Sequence, residues 1–342
     1  MEATQLDALR NRLQQSLRHV IVPHRNPDGD AMGSTLALAA YLKAQSHTAT
    51  VISPNSSPEF LHWLPGTEKV VTYKSETAQA DELIKDCDLI WVLDFNDISR
   101  VGDMSSALEN ATQDMVMLDH HQEPKEFAKY VYSDTSMSST CQLLYHFLER
   151  LHPKFELTAE MATCIYTGIV TDTGSFKYRS TTSETHRVVA ALIDAGAENE
   201  QIHRKIYDGN SIARLQLLGT ALNNLKVFPD LKTAVITLSR KEKQATDYKK
   251  GDTEGFVNYA LGLKGIAVAA MFTEDDEKDY IKISFRSKGN FPVNELARDF
   301  FEGGGHRNAS GGRSDLNMAD TVARFRESVK KHFKEHIAQA EV

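Results

Sequence analysis

The sequence predicts an α/β protein: a doubly wound, mainly parallel sheet followed by a smaller α/β domain at the C-terminal end. Three observations carry this. Near-continuous apolar runs at 19–23, 88–93 and 114–118 have strand length, and helix-like stretches separate them, as in parallel strands covered on both faces. The 342 residues exceed the size at which a single core usually stops growing, so two domains are expected. A polar stretch opening at Ala195-Gly196-Ala197-Glu198-Asn199-Glu200 then interrupts the strand–helix alternation. The expected division is a first domain over 1–195, a largely helical linker over 196–228, and a second domain over 229–342.

Taken in order, Leu9, Leu13 and Leu17 give helical spacing from Leu6 to Leu17. His19 to Pro23 is a buried strand ending at His24. A helix follows from Ala31 to Gln45, a strand near Thr50 to Ile52, and another helix before Cys87. The strands at 88–93 and 114–118 end at Asp94 and Asp119. Ser138 to Leu151, with Ser138 as cap, and Thr158 to Val170 are further helices. In the linker, Ile212 to Val227 has helical spacing. The second domain has strands at 233–238, 265–272 and 279–285, then helices at Val293 to Phe301 and Met318 to His336.

Chemistry-bearing residues gather where these elements end. His24-Arg25-Asn26-Pro27-Asp28-Gly29-Asp30 follows the first strand, Asp94 the next long apolar run, and Asp119-His120-His121 the third, while Asp172 closes a helical stretch. In open parallel sheets ligands collect beyond the carboxyl ends of the strands, so three of the four groups converge on one edge. Each group alone has a plain structural reading: Asn26-Pro27-Asp28-Gly29 as a turn, Asp30 as a helix cap, Asp94 and Asp172 as turn residues, the histidines as loop residues. Four such coincidences would have to fall at one location. Two histidines and four aspartates with no cysteine among them suit a pair of divalent cations about 3.5–4 Å apart, with one carboxylate short enough to bridge.

Composition narrows the class. The net charge of −8 argues against gripping long or duplex nucleic acid, which calls for a basic face. It suits a small anionic substrate held by the cations and a few local groups. Met1 to Leu6 shows no basic region followed by an apolar core, and no apolar run approaches the roughly 20 residues that span a bilayer, so no membrane association is expected. Cys87, Cys141 and Cys164 lack paired spacing and fit reduced, buried thiols in a cytoplasmic protein. Near the C-terminus, Gly303-Gly304-Gly305-His306 offers backbone that can approach a ligand closely and turn its N–H groups toward an anion. It is no Walker A loop, because no Gly-Lys-Ser/Thr follows. Arg286, leaving a strand, can fork two donors onto a phosphate, although a surface arginine at a sheet edge is the plainer reading.

Together His24 to Ser34, Asp119-His120-His121, the Thr-Gly-Ile-Val-Thr-Asp-Thr-Gly run around Asp172 and Gly303 to His306 resemble the DHH/DHHA1 phosphoesterase family. The resemblance covers nearly the whole chain. Departures are slight: Met32 where a branched aliphatic is usual, and Ser310 where a second alanine commonly follows Ala309. The resemblance implies that His24, Asp28 and Asp94 hold one cation, and Asp30, Asp94, His120 and Asp172 the other, with Asp94 bridging. It implies manganese, with magnesium or cobalt as alternatives. His121 falls outside that set, as a phosphate contact or proton donor; Asp94, His120 and His121 are the expected catalytic residues. Arg286 would hold the substrate phosphate, and His306, with Gly303, Gly304 and Gly305, would face the scissile group or base. Size and arrangement are similar to the family's stand-alone bacterial members. They imply cleavage of short oligoribonucleotides to mononucleotides and removal of the 3′-phosphate of pAp (3′-phosphoadenosine 5′-phosphate), by a monomer or homodimer whose two lobes close on substrate. The alternatives are a phosphodiesterase for cyclic or linear dinucleotides of the c-di-AMP or pApA kind, a RecJ-like single-strand exonuclease, a pyrophosphatase, and a metal-binding module without catalysis. A pyrophosphatase should show lysine-rich contacts where Gly303 to His306 stands.

Overall fold

The computed structural model describes residues 1–249 and 251–334, which separate into two compact units, Met1–Gly209 and Asn210–Val342. In the first unit the elements are α1 (Ala3–Arg12), β1 (Arg18–Val22), α2 (Gly29–Ala44), β2 (Thr48–Ser53), β3 (Val71–Thr72), α3 (Thr77–Asp86), β4 (Leu89–Leu93), α4 (Ser105–Glu109), β5 (Met115–Asp119), β6 (Tyr130–Ser133), α5 (Thr140–Leu151), α6 (Ala159–Asp172), α7 (Ser183–Asp194) and α8 (Asn199–Tyr207). Its sheet runs β3-β2-β1-β4-β5-β6, and each neighbouring pair is parallel.

The apolar runs are continuous because both faces of this sheet are covered. Ile21, Trp91, Leu93, Val116 and Leu118 point into one core with α2, α5 and α6. The alternate residues Val20, Val22, Ile90, Val92, Met115 and Met117 point into another with α3 and α4. The strand order reverses between β1 and β4, so the residues after these two strands, His24 and Asp94, flank the switch point where an open α/β sheet has its crevice. Helices α2 and α6 cross closely above it. A Cβ on Gly33 would strike the Cys164 carbonyl oxygen, and one on Gly168 the Cys141 sulfur. Glycine at these positions lets the C-terminal end of α6 bring Asp172 to the start of α2.

The second unit contains α9 (Ile212–Asn223), β7 (Lys226–Phe228), β8 (Thr233–Leu238), α10 (Arg240–Gln244), α11 (Phe256–Leu261), β9 (Val268–Glu274), β10 (Ile281–Ser287), α12 (Val293–Phe300), β11 (Gly304–His306), β12 (Ala309–Ser314) and α13 (Met318–His332). Its mixed sheet runs β11-β12-β10-β9-β8-β7, with β8 and β9 parallel and the other pairs antiparallel. Phe272, Phe285, Phe301, Phe325 and Phe333 form the core under α12 and α13; Leu217, Ile236, Phe256 and Met271 form the one under α9 and α11. Among the described residues, no helix is long and apolar enough to cross a membrane.

Several boundaries differ from the sequence expectation. The first helix ends at Arg12 rather than Leu17, because the sheet edge recruits Leu17: its N–H donates to His47 Nδ1 and its carbonyl accepts from Thr48 N–H at 2.9 Å. The helix expected to reach Val227 stops at Asn223, and Val227 instead pairs with Ala234 in an edge ladder. Ser139, not Ser138, caps α5. The glycine stretch near the C-terminus forms a hairpin, β11–β12, for which the sequence expectation had no strands. Residues 335–336 of the last expected helix lie outside the described residues.

Candidate metal centre and substrate face

Every expected ligand in the first unit lies at the carboxyl edge of the sheet or at a helix end beside it. Asp94 follows β4 directly. Its φ of +65° is unusual for a side-chain-bearing residue and costs on the order of 1–3 kcal/mol. Its N–H still donates to Leu118 O at 3.0 Å, so the strand pairing continues while the side chain swings into the crevice. Asp28 caps α2, its Oδ1 accepting from Asp30 N–H at 3.0 Å and Ala31 N–H at 3.1 Å. Asp30 therefore lies inside the helix, buried, and is not the cap that a plain reading would make it.

Two groups of donor atoms meet at Asp94. His24 Nε2 is 3.4 Å from Asp94 Oδ2 and 3.9 Å from Asp28 Oδ1. His120 Nε2 is 3.6 Å from Asp94 Oδ1, 3.7 Å from Asp30 Oδ2 and 3.6 Å from Asp172 Oδ2. Direct hydrogen bonds would be about 2.7–3.2 Å. Atoms sharing an ion at about 2.1 Å stand roughly 3 Å apart when adjacent and about 4.2 Å when opposite, which is the spacing found. His24 Nδ1 lies 2.9 Å from Arg25 O and His120 Nδ1 lies 3.3 Å from Met137 O. A carbonyl only accepts, so each Nδ1 carries a proton and each Nε2 is the ring nitrogen turned toward the carboxylates, open to a proton or a cation.

Electrostatics also fit a cationic occupant. Burial pushes Asp172 up to about 6, opposed by His120 and reinforced by Asp28 and Asp94. Burial, with Asp94 and Asp172 beside it, pushes Asp30 well above the usual carboxylate range. Burial would lower His120, yet Asp172, Asp30 and Asp94 raise it to about 9. Burial would likewise raise Asp94, but contact with His24 and the nearby His121 and His120 hold it well below the ordinary carboxylate value. Without compensation the crevice must take up protons; carboxylate and imidazole donors suit hard or borderline divalent cations instead. The cysteines are free and buried, and burial raises the Cys164 thiol beyond the range of an ordinary thiol.

Sequence reasoning missed Asp119 as a separate part. It is fully buried, and its Oδ1 lies 2.7 Å from His121 Nδ1 while its Oδ2 accepts from His121 N–H at 3.0 Å. The carboxylate thereby fixes the ring of the histidine left outside the ligand set. Its position as the last residue of an apolar strand, directly before two histidines, was the available signal.

In the second unit, strand register organises the remaining residues. Arg286 and His306 both pair with Ala309, one from each side, so all three lie in one row on one face. The adjacent row on that face is Ser284, Gly311 and Gly304. Phe285 points to the opposite face, into the core under α12 and α13. The result is a shallow floor of glycine and alanine backbone with Arg286 and His306 on either side. Gly303 and Gly305 are required for steric reasons: a Cβ on either would run into the backbone of β12. Asn308 ties the hairpin tip down, donating to Ser287 Oγ at 2.8 Å and Gly289 O at 3.2 Å.

The pattern of the DHH family, N-terminal domain, matches residues 18–169, and that of the DHHA1 domain matches residues 232–335. The bifunctional oligoribonuclease and PAP phosphatase NrnA of Thermus thermophilus is 29% identical over 313 residues, covering 91% of this chain and 89% of that protein. The protein of the same name from Bacillus subtilis is 28% identical over 331 residues, covering 94% and 97%. An exopolyphosphatase-related protein from Bacteroides fragilis, known from a crystal structure, is 38% identical and superposes with a TM-score of 0.94 over 99% of this chain and 98% of that one.

Proposed function

The chain belongs to the DHH/DHHA1 phosphoesterase family, and from that premise we propose that it cleaves short oligoribonucleotides to nucleoside monophosphates and removes the 3′-phosphate of pAp. The observation that carries this reading is the division of Asp94, one oxygen beside His24 and the other beside His120. In it, His24, Asp28 and Asp94 hold one divalent cation and Asp30, Asp94, His120 and Asp172 hold the second. The pair, manganese in this reading, supplies an activated water and neutralises charge on the phosphate.

The protein's own groups do the rest. Asp94 keeps the two ligand sets at a fixed separation. Arg286 forks its donors onto a substrate phosphate, and His306 bounds the same glycine floor, where a flat base can lie against backbone. As water attacks phosphorus and the bond to the 3′ oxygen breaks, the departing oxygen needs a proton. In this reading His121 passes it; its ring is held by Asp119, and its Nδ1 lies 3.7 Å from Asp94 Oδ1.

A panel of pAp, di- to pentaribonucleotides, linear and cyclic dinucleotides and pyrophosphate, assayed with Mn2+, tests the substrate class. Turnover of pAp and of the short linear RNAs well above the cyclic dinucleotides is expected. A preference for cyclic dinucleotides or pyrophosphate would overturn the assignment.

A further inference from the structure

The residues just before and within the first turn of α5 touch three of the expected ligands at once. Met137 O accepts from His120 Nδ1. Thr140 N–H donates to Asp30 Oδ2 at 2.6 Å, and Cys141 N–H donates to Asp30 Oδ1 at 2.8 Å. Thr140 Oγ1 lies 2.8 Å from Asp94 Oδ1. The first N–H groups of any helix lack partners within it, and its N-terminus favours a negative charge. Here both are satisfied by a carboxylate more than a hundred residues earlier in the chain. Ser139 already caps the helix, its Oγ accepting from Gln142 N–H at 3.0 Å, so the Thr140 hydroxyl is not needed for capping. Thr140 is fully buried, and its hydroxyl is directed at Asp94 instead.

This matters because the terminal torsion of an aspartate is broad and does not set its own orientation. A bridging carboxylate must keep one oxygen toward each cation. The segment that presents Thr140 is itself fixed: Gln142 Oε1 accepts from Ser138 Oγ at 2.5 Å and from Thr185 Oγ1 at 3.0 Å.

We propose that Thr140 is a positioning residue for both halves of the centre, its hydroxyl setting the rotation of Asp94 and its N–H, with that of Cys141, setting Asp30. The proposal rests on the two-cation reading above, and its test separates the two. Calorimetric titration of chelator-stripped protein with Mn2+ alone would compare wild type with Thr140→Val, which keeps the shape, and Thr140→Ser, which keeps the hydroxyl. Wild type should take up two Mn2+. Thr140→Val should bind the weaker one about 10- to 100-fold less tightly, as loss of a group orienting a ligand typically does, while Thr140→Ser stays within about threefold of wild type. Melting in EDTA should fall by about 3–10 °C in Thr140→Val, which loses a buried hydrogen bond to a carboxylate, and by no more than about 2 °C in Thr140→Ser. Two Mn2+ bound by Thr140→Val at wild-type affinity would overturn the proposal. So would an equal loss of Mn2+ affinity in both variants, or an equal fall in EDTA melting in both, since either makes Thr140 a packing residue. A wild type that binds fewer than two Mn2+ would instead overturn the two-cation reading, and this proposal with it.

Discussion

In the first unit the expected metal ligands lie in or beside a buried crevice at strand and helix ends, whereas in the second the expected substrate contacts stand on a sheet face floored by glycine and alanine. Buried carboxylates in contact with one another cannot tolerate disorder: each loses water, and an unmatched charge costs several kcal/mol. Such a site must be over-determined, and it is, by the backbone of Asp94, the cap at Asp28, the carbonyls behind His24 and His120, and the first turn of α5. A face that receives a ligand needs the opposite: exposed backbone, few side chains and groups that gain a partner on binding. Damage to the crevice should abolish chemistry, and damage to the face should change substrate handling while metal binding survives.

The largest effect is expected at the shared ligand. Asp94→Ala should lower kcat on pAp by roughly a thousandfold or more, because several kcal/mol of charge stabilisation is lost. Circular dichroism should show the fold intact; near wild-type turnover at saturating Mn2+ would remove Asp94 from its bridging role. Next comes the helix crossing. Gly168→Ala places a methyl against Cys141 and Asp30, which should cost about 1–3 kcal/mol in denaturant unfolding and weaken Mn2+ uptake together. Unchanged stability and uptake would mean the crossing relaxes freely.

On the substrate face, Arg286→Ala should leave Mn2+ titration unchanged and raise KM for pAp roughly ten- to a hundredfold, as loss of a charge-assisted hydrogen bond does. Normal kinetics on pAp and a trinucleotide would remove Arg286 from recognition. The smallest effect lies in the first unit but away from the crevice. Trp91 Nε1–H donates to His19 Nδ1 at 3.0 Å, which requires a neutral ring, and burial, helped by the neighbouring His47, lowers His19 from 6.5 to about 3. That contribution to stability is complete above about pH 6.5 and is lost as pH falls toward 3, amounting to about 2 kcal/mol at most by pH 5. Urea unfolding in EDTA at pH 7.5 and pH 5 should show a smaller pH dependence for His19→Gln than for wild type; equal dependence would contradict it.

The same contrast explains what could be read from sequence. Strands buried on both faces carry their own signature, so β1, β4 and β5 and the residues ending them were legible from 19–23, 88–93 and 114–118. β11 and β12 were not, because Gly304, Gly305, Gly311 and Gly312 have low strand propensity; β12 extends the sheet along the edge of β10, and β11 along that of β12. Asp119 was visible but had no assigned part, since its partner His121 is defined by a side-chain contact that periodicity cannot express. Thr140 was hidden for the same reason: local pattern marks a helix start there, and nothing local points to Asp30 or Asp94.

The central claim is that Asp94 joins two cation sites. Anomalous diffraction at the manganese edge, from crystals grown with Mn2+, tests it most directly. The account predicts two peaks about 3.5–4 Å apart, one contacted by Asp94 Oδ2 with His24 and the other by Asp94 Oδ1 with His120. A single peak, or two peaks with Asp94 touching only one, would contradict it.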